Sequence, residues 1–203
     1  MAEITFEENA ITLDDLLRMR GDIRVEIING EIKEMAAAGV QHGFIAINIQ
    51  RVLDPYVVAH DIGAVLPDGV TYLMFSPTRN LKDSFMPDVS FIYKENLPAD
   101  FDISKPHPGI PDFAVEVFSP GDDADDIQTK VRTYLEKGTV QVLVAYPKAR
   151  EVHQYRHEQP EISRIYRAGK IDLEELFPGI ELSVETVFAL PAWAQKQAKA
   201  TIE

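Results

Sequence analysis

The chain has 203 residues, with 20 Lys or Arg against 33 Asp or Glu, so its formal net charge is −13. Hydrophobic residues make up 45% of the sequence, a fraction too high for a chain that charge repulsion keeps disordered. The sequence contains no cysteine, which excludes disulfides, thiolate metal sites and cysteine nucleophiles. Histidine and carboxylate side chains are therefore the available metal ligands.

The sequence also limits the location and the partners that we expect. It shows neither a secretory signal nor a run of about 18 apolar residues, so we expect a cytoplasmic protein. No linker divides it, and we expect one domain over residues 1–203 with a polar helical tail from about residue 191. The acidic excess disfavours non-specific binding to phosphate backbones, so a nucleic-acid partner requires locally concentrated basic residues. The candidates for such a basic rim are Arg18, Arg20, Arg24, Lys33, Arg51, Arg79 and Lys82.

The first half of the chain predicts two helices and several strands. Thr12 and the acidic residues after it favour a short helix through residue 20. Residues 24–35 contain two β-rich runs around an Asn-Gly pair, which is typical of a tight hairpin. Apolar residues recur at helical spacing over residues 41–60, and residues 64–93 contain three short strand-like runs.

The second half alternates strands with one further helix. Residues 94–110 are polar and rich in proline, which predicts a surface loop in which His107 is exposed. A strand over residues 112–119 leads through an acidic turn into a helix over residues 127–138, and an apolar strand follows. There is no regular βαβ repeat and no glycine-rich phosphate loop. We therefore expect an α+β fold, a mixed α/β sandwich.

Two acidic residues stand on strands whose neighbours are apolar. Alternation places Asp88 at the start of one strand, and it places Glu116 in the middle of another. Burial of an unpaired carboxylate is costly, so Glu116 requires a cation. That cation is either a Lys or Arg in a salt bridge or a divalent metal ion, and the spacing alone leaves both open.

The helix after Glu116 supplies a candidate cation. Lys130 flanks the buried stripe of this helix, whereas Arg132 points towards solvent. Lys130 either reaches over the strand towards Glu116 or covers apolar surface with its aliphatic stem. We expect Tyr134, one turn later, to pack against the sheet.

These residues resemble a known family. The segments MPDVSF (86–91) and PDFAVEVFSP (111–120), followed by an acidic turn, Lys130 and a VLVAYP strand, closely resemble the Uma family of bacterial restriction endonucleases. VEIINGE (25–31) resembles its first hairpin and FPGI (177–180) its closing motif, so the resemblance covers roughly residues 12–190.

The resemblance implies a PD-(D/E)XK nuclease fold, a restriction-endonuclease-like core in which helices flank a central mixed sheet. Asp88, Glu116 and the backbone carbonyl of Val117 would then bind Mg²⁺ or Mn²⁺. The lysine of that motif is missing from the strand, and Lys130 matches the helical position that replaces it. Glu26 matches an acid that contacts the metal through water, and His42 an accessory group near the phosphate.

The resemblance implies metal-dependent cleavage of duplex DNA, and cleavage of both strands favours a homodimer. Carboxylates suit these hard cations, which neutralise charge on phosphate and lower the pKa of bound water. Two alternatives stay open: a catalytically inactive nuclease-fold protein that serves as a binding or assembly module, and a hydrolase of small phosphoesters. The acidic balance favours the first of these alternatives, whereas the intact set of Asp88, Glu116 and Lys130 opposes it.

Overall fold

Two β-sheets and the helices around them form the fold. The computed structural model describes residues 11–19, 24–76 and 80–195, so most of the expected polar tail lies outside the described residues. No helix in these ranges is long and apolar enough to cross a membrane. The helices are α1 (Leu13–Met19), α2 (Val40–His60), α3 (Ala124–Lys137) and α4 (Val184–Val187), with a 3₁₀ turn at Lys94–Asn96. The strands are β1 (Val25–Ile28), β2 (Glu31–Glu34), β3 (Gly63–Pro67), β4 (Tyr72–Phe75), β5 (Leu81–Phe85), β6 (Val89–Tyr93), β7 (Phe113–Val117), β8 (Gln141–Tyr146), β9 (Glu151–Arg156) and β10 (Gln159–Tyr166).

The larger sheet has six strands in the order β10-β9-β8-β7-β6-β3. Its central pair, β7 and β8, is parallel, because α3 crosses over between the two strands, and the other pairs are antiparallel. The smaller sheet has the order β2-β1-β5-β4 and includes the predicted hairpin. The expected α+β fold with a mixed sheet and flanking helices is confirmed.

The alternation predicted for β6 and β7 decides which helix each side chain meets. Phe113, Val115 and Val117 of β7 face the cluster that contains the buried stripe of α2. Ala114 belongs to the opposite cluster, which contains the buried stripe of α3 and apolar residues of the smaller sheet. The side chain of Glu116 therefore lies on the side of β7 that faces α3 and the smaller sheet.

The ends of α3 are fixed by its flanking residues. The Asp123 side chain caps the first turn by accepting a hydrogen bond from the backbone N–H of Asp125 at 2.7 Å. Gly138 ends the helix in a left-handed conformation, with φ 110°. The helix thus begins three residues before the predicted Ile127, and Lys130 lies in its second turn.

The proline-rich loop is anchored more firmly than predicted. The backbone N–H of His107 donates to Thr71, and the carbonyl of His107 accepts from Leu73, so the loop adds a bridge to β4. The imidazole packs edge-on against Tyr72, and His107 is buried. The prediction of an exposed His107 was wrong, because an irregular loop can still supply sheet-like hydrogen bonds.

Gly63, at the start of β3, permits the close approach of β6. A Cβ atom built at this position would lie 2.0 Å from the carbonyl oxygen of Ile92. We expect Gly63→Ala to lower the free energy of unfolding by about 1–3 kcal/mol, because the strands must separate to admit the methyl group. Urea unfolding followed by circular dichroism measures this change.

Gly43, inside α2, is the matched control. A Cβ atom at Gly43 would meet nothing within 4 Å. Gly43→Ala should therefore raise stability by about 0.5–1 kcal/mol through helix propensity. Equal stability of the two alanine variants would contradict the steric explanation for Gly63.

Candidate functional site

One cavity of about 180 Å³ is lined by all the residues predicted for the site. It lies where the two sheets and α3 meet, and it is large enough to hold several water molecules. Of the three predicted acids, Asp88 and Glu116 come from the larger sheet or the residue next to it, and Glu26 comes from the smaller sheet. The predicted residues that line it are Glu26 on β1, His42 on α2, Asp88 just before β6, Glu116 and Val117 on β7, and Lys130 on α3.

The Lys130 ammonium group joins two of the acids. Its Nζ atom donates to Glu116 Oε2 at 2.7 Å and to Glu26 Oε1 at 2.9 Å. All three side chains are at most 7% exposed, so water screens these contacts little. Of the two alternatives left open for Lys130, the structure shows that its ammonium group reaches Glu116.

Burial and crowding of acids change the protonation of this cluster. Loss of solvent raises the pKa of Glu116 to about 8, and the charges of Glu26 and Asp88 add to this effect although Lys130 opposes it. Burial works to lower the pKa of Lys130, but Glu116 and Glu26 outweigh it and raise the pKa. The lysine thus stays charged, while Glu116 holds its proton more strongly than an exposed glutamic acid.

Asp88 and His42 form the other side of the cavity. Asp88 Oδ2 accepts a hydrogen bond from the backbone N–H of Val117 at 2.7 Å and lies 3.2 Å from His42 Nε2. Burial works to lower the pKa of His42, but the carboxylate of Asp88 outweighs it and raises the pKa. Asp88 is therefore bound to the strand that carries Glu116, which brings the two predicted metal ligands to one cavity.

Two further contacts complete the cluster. The Tyr134 hydroxyl donates to Glu116 Oε1 at 3.0 Å while its ring packs edge-on against Phe85. The prediction that Tyr134 packs against the sheet did not include this hydrogen bond. Its position one turn after Lys130 could have indicated that its hydroxyl also reaches Glu116. Glu26 Oε1 also accepts the backbone N–H of Met86 at 2.6 Å, which links the smaller sheet to the segment before Asp88.

The expected basic rim forms only in part. Arg24 and Lys33 line the cavity, whereas Arg51 and Lys82 do not, and Arg18 lies 3.6 Å from Asp15. Arg20 and Arg79 lie outside the described residues. Acidic side chains outnumber Lys and Arg in the lining by eight to three. The eight acids are Glu26, Glu34, Asp68, Asp88, Glu116, Asp122, Asp123 and Asp126.

The chemistry of these donors fits a hard divalent cation. Carboxylate oxygens are the ligands that Mg²⁺ and Mn²⁺ prefer, and Asp88 and Glu116 both line the cavity. Within the described ranges, no group of three or more His, Asp or Glu side chains is arranged to hold a metal ion. The predicted ligand set has only two such side chains, Asp88 and Glu116, with a backbone carbonyl as the third donor.

Comparison with known proteins gives the class and then the family. The fold matches the crystal structure of a putative nuclease belonging to DUF820 from Anabaena variabilis ATCC 29413, with a TM-score of 0.76 and 20% sequence identity. The match covers 88% of this chain and 97% of the other, so the protein has a nuclease-like fold. The family model described as "Uma2: Putative restriction endonuclease" matches residues 13–185, and the chain belongs to this family. No functionally curated protein matches the sequence.

The protonation of Glu116 predicts a pH dependence of stability. A carboxyl group whose pKa is higher in the folded state than in the unfolded state binds more protons when folded, so stability falls as pH rises between the two values. With an unfolded pKa near 4.5 and a folded pKa of about 8, this fall lies between pH 4.5 and 8. We expect the Glu116→Gln variant not to show this fall in stability, because glutamine does not titrate.

The measurement is the free energy of unfolding of both proteins by urea at several pH values, with a chelator present. The difference, variant minus wild type, should increase as pH rises through this window, since every other titrating group is shared. Parallel curves for the two proteins would contradict the raised pKa of Glu116.

Proposed function

We propose that the protein is a metal-dependent endonuclease that hydrolyses phosphodiester bonds in DNA. In this proposal Asp88, Glu116 and the carbonyl of Val117 bind Mg²⁺ or Mn²⁺, and Lys130 supports the reaction from α3. The observation that carries the proposal is the contact of the Lys130 ammonium group with Glu116 in the cavity that Asp88 also lines. The duplex form of the substrate and a homodimeric enzyme are parts of the same proposal.

The charge state of Lys130 limits its role. An amine with a raised pKa does not accept a proton near neutral pH, so Lys130 is not a general base. It instead supplies a fixed positive charge with N–H donors. That charge stabilises a hydroxide nucleophile or the negative charge that develops on the phosphate oxygens.

Glu26 and His42 serve as supporting groups in this proposal. Glu26 contacts Lys130 and the backbone N–H of Met86, and therefore holds the ammonium group in place. His42 lies against Asp88 and fixes the orientation of that carboxylate. A protonated His42 also presents positive charge near the position expected for the substrate phosphate.

A bound divalent cation would supply charge neutralisation and a water of lowered pKa. The chain contributes the carboxylates of Asp88 and Glu116 to hold it. Lys130 and Tyr134 restrict the orientation of Glu116, because each donates to a different carboxylate oxygen. Glu116 is therefore held in one orientation in the cavity lining.

A small phosphorylated molecule is the second candidate substrate. The excess of acids over bases in the cavity lining favours it, since a long polyanion meets more repulsion than a single phosphate group. A competition experiment distinguishes DNA from a small phosphodiester as the substrate. An excess of unlabelled DNA should suppress hydrolysis of the small phosphodiester only if DNA binds well to the same cavity.

We predict that the wild-type protein nicks supercoiled plasmid in the presence of Mn²⁺ and that EDTA abolishes this activity. Glu116→Gln and Asp88→Asn should each lower the rate by about 10²–10³-fold, because each removes a carboxyl group that would hold the metal ion. Gel electrophoresis of the plasmid with time gives the rates.

Asp83→Asn is the matched control for the loss of a buried acid. Asp83 is buried on β5, and it accepts the backbone N–H of Asn29 at 2.7 Å, but it does not line the cavity. Its variant should therefore retain activity. Equal nicking by Glu116→Gln and wild type would indicate a contaminating nuclease, and inactivity of every protein would favour the binding module or the small substrate.

A further inference from the structure

Arg24, in the cavity lining, forms an ion pair with Asp68. Both guanidinium NH groups of Arg24 donate to this one carboxylate, NH1 at 2.9 Å to Oδ2 and NH2 to Oδ1. Both residues line the cavity. The pair joins the residue before β1 to the turn after β3, so it spans the opening from one sheet to the other.

Arg24 is much more exposed to solvent than Lys130, the buried cation of the cavity. The side chains of Arg24 and Asp68 are 51% and 35% exposed, whereas those of Lys130 and Glu116 are 4% and 6% exposed. Exposed ion pairs contribute little net stability, whereas breaking a buried pair is costly. Arg24 can therefore exchange its partner, and Lys130 cannot do so without loss of stability.

Position separates Arg24 from Lys33, the other exposed cation in the lining. Arg24 interacts electrostatically with Asp88 and Glu26, after its dominant contact with Asp68. Lys33 instead interacts with Asp126, 3.3 Å away at the start of α3, and with Glu31 at 3.8 Å. Arg24 therefore faces the acids of the proposed reaction, whereas Lys33 faces the acidic turn.

The shape of the group favours a phosphate as the alternative partner. A guanidinium group presents two parallel N–H donors that match two oxygens of a carboxylate or of a phosphate. In the structure Asp68 accepts from both donors. A phosphodiester also presents two oxygens that share one negative charge, so it could accept the same two hydrogen bonds from Arg24.

We propose that Arg24 binds a phosphate group of the DNA substrate and that Asp68 holds Arg24 in its absence. This inference rests on the proposed function. The charges of Arg24 and Asp68 cancel each other until a phosphate binds. Asp68 also competes with any ligand of Arg24, so a ligand that binds Arg24 more weakly than a carboxylate does not displace it. Arg24 is a substrate-binding residue here, and Asp68 is its positioning residue.

The test measures KM and kcat for Mn²⁺-dependent cleavage of a fluorescein-labelled duplex oligonucleotide. Arg24→Gln should raise KM about tenfold with little change in kcat, because one charge-assisted contact to phosphate is lost. It should also reduce the slope of log kcat/KM against log salt concentration by about 0.9, the value for one phosphate contact. Lys33→Gln is the matched control and should change KM by less than about twofold.

Asp68→Asn tests the exchange itself. It should lower KM by about two- to fivefold, because the substrate no longer displaces a carboxylate. In the Arg24→Gln background the same change should have no effect. A decrease of equal size in both backgrounds would overturn the exchange, since it would reflect only the loss of one negative charge.

Spectroscopy distinguishes a folding defect from a binding defect, and the activity of the wild type tests the proposed function. Circular dichroism and thermal unfolding should be unchanged in all variants, since the altered side chains are exposed. A wild type that cleaves while Arg24→Gln matches Lys33→Gln overturns only the role of Arg24. A wild type that does not cleave DNA with Mn²⁺ overturns the proposed function and this inference together.

Discussion

The buried contact of Lys130 with Glu26 and Glu116 holds together three of the elements that form the candidate site. It joins α3 to a strand of each sheet, and none of the three groups has much access to water. Loss of solvent raises the pKa of Glu116, and the nearby charges of Glu26 and Asp88 add to this effect although Lys130 opposes it. Lys130 is thus the cation that the burial of Glu116 requires, and removing the lysine would leave a buried carboxyl group without its partner.

The charges of the cavity lining determine how a phosphate group would bind in the proposed function. The lining carries more acids than bases, and the exposed bases are held by neighbouring carboxylates. Long-range attraction of a polyanion is therefore weak, and binding depends on contacts made at short range. Such a site selects for the geometry of the bound group, whereas a strongly basic cleft gains affinity from charge alone.

The sequence predicted the parts of this site that depend on local pattern. Alternation placed Glu116 in the middle of an apolar strand, and helical spacing placed Lys130 beside the buried stripe of the next helix. The contribution of Glu26 came only from the family resemblance, because its contact with Lys130 joins residues 104 positions apart. The pairing of Arg24 with Asp68, 44 positions apart, had no local signal at all. The burial of His107 was missed for the same reason, since it depends on a bridge between a loop and β4.

The division of the site between two sheets affects how the protein folds. Strands β6, β7 and β8 and helix α3 come from one continuous part of the chain, so their contacts close short loops. The contact of Glu26 with Lys130 closes a much longer loop, and the entropy of loop closure makes such contacts late and slow. We expect the cavity to form only once both sheets are in place, because residues of both sheets line it. During synthesis the acidic cluster cannot assemble until α3, which carries Lys130, has emerged from the ribosome.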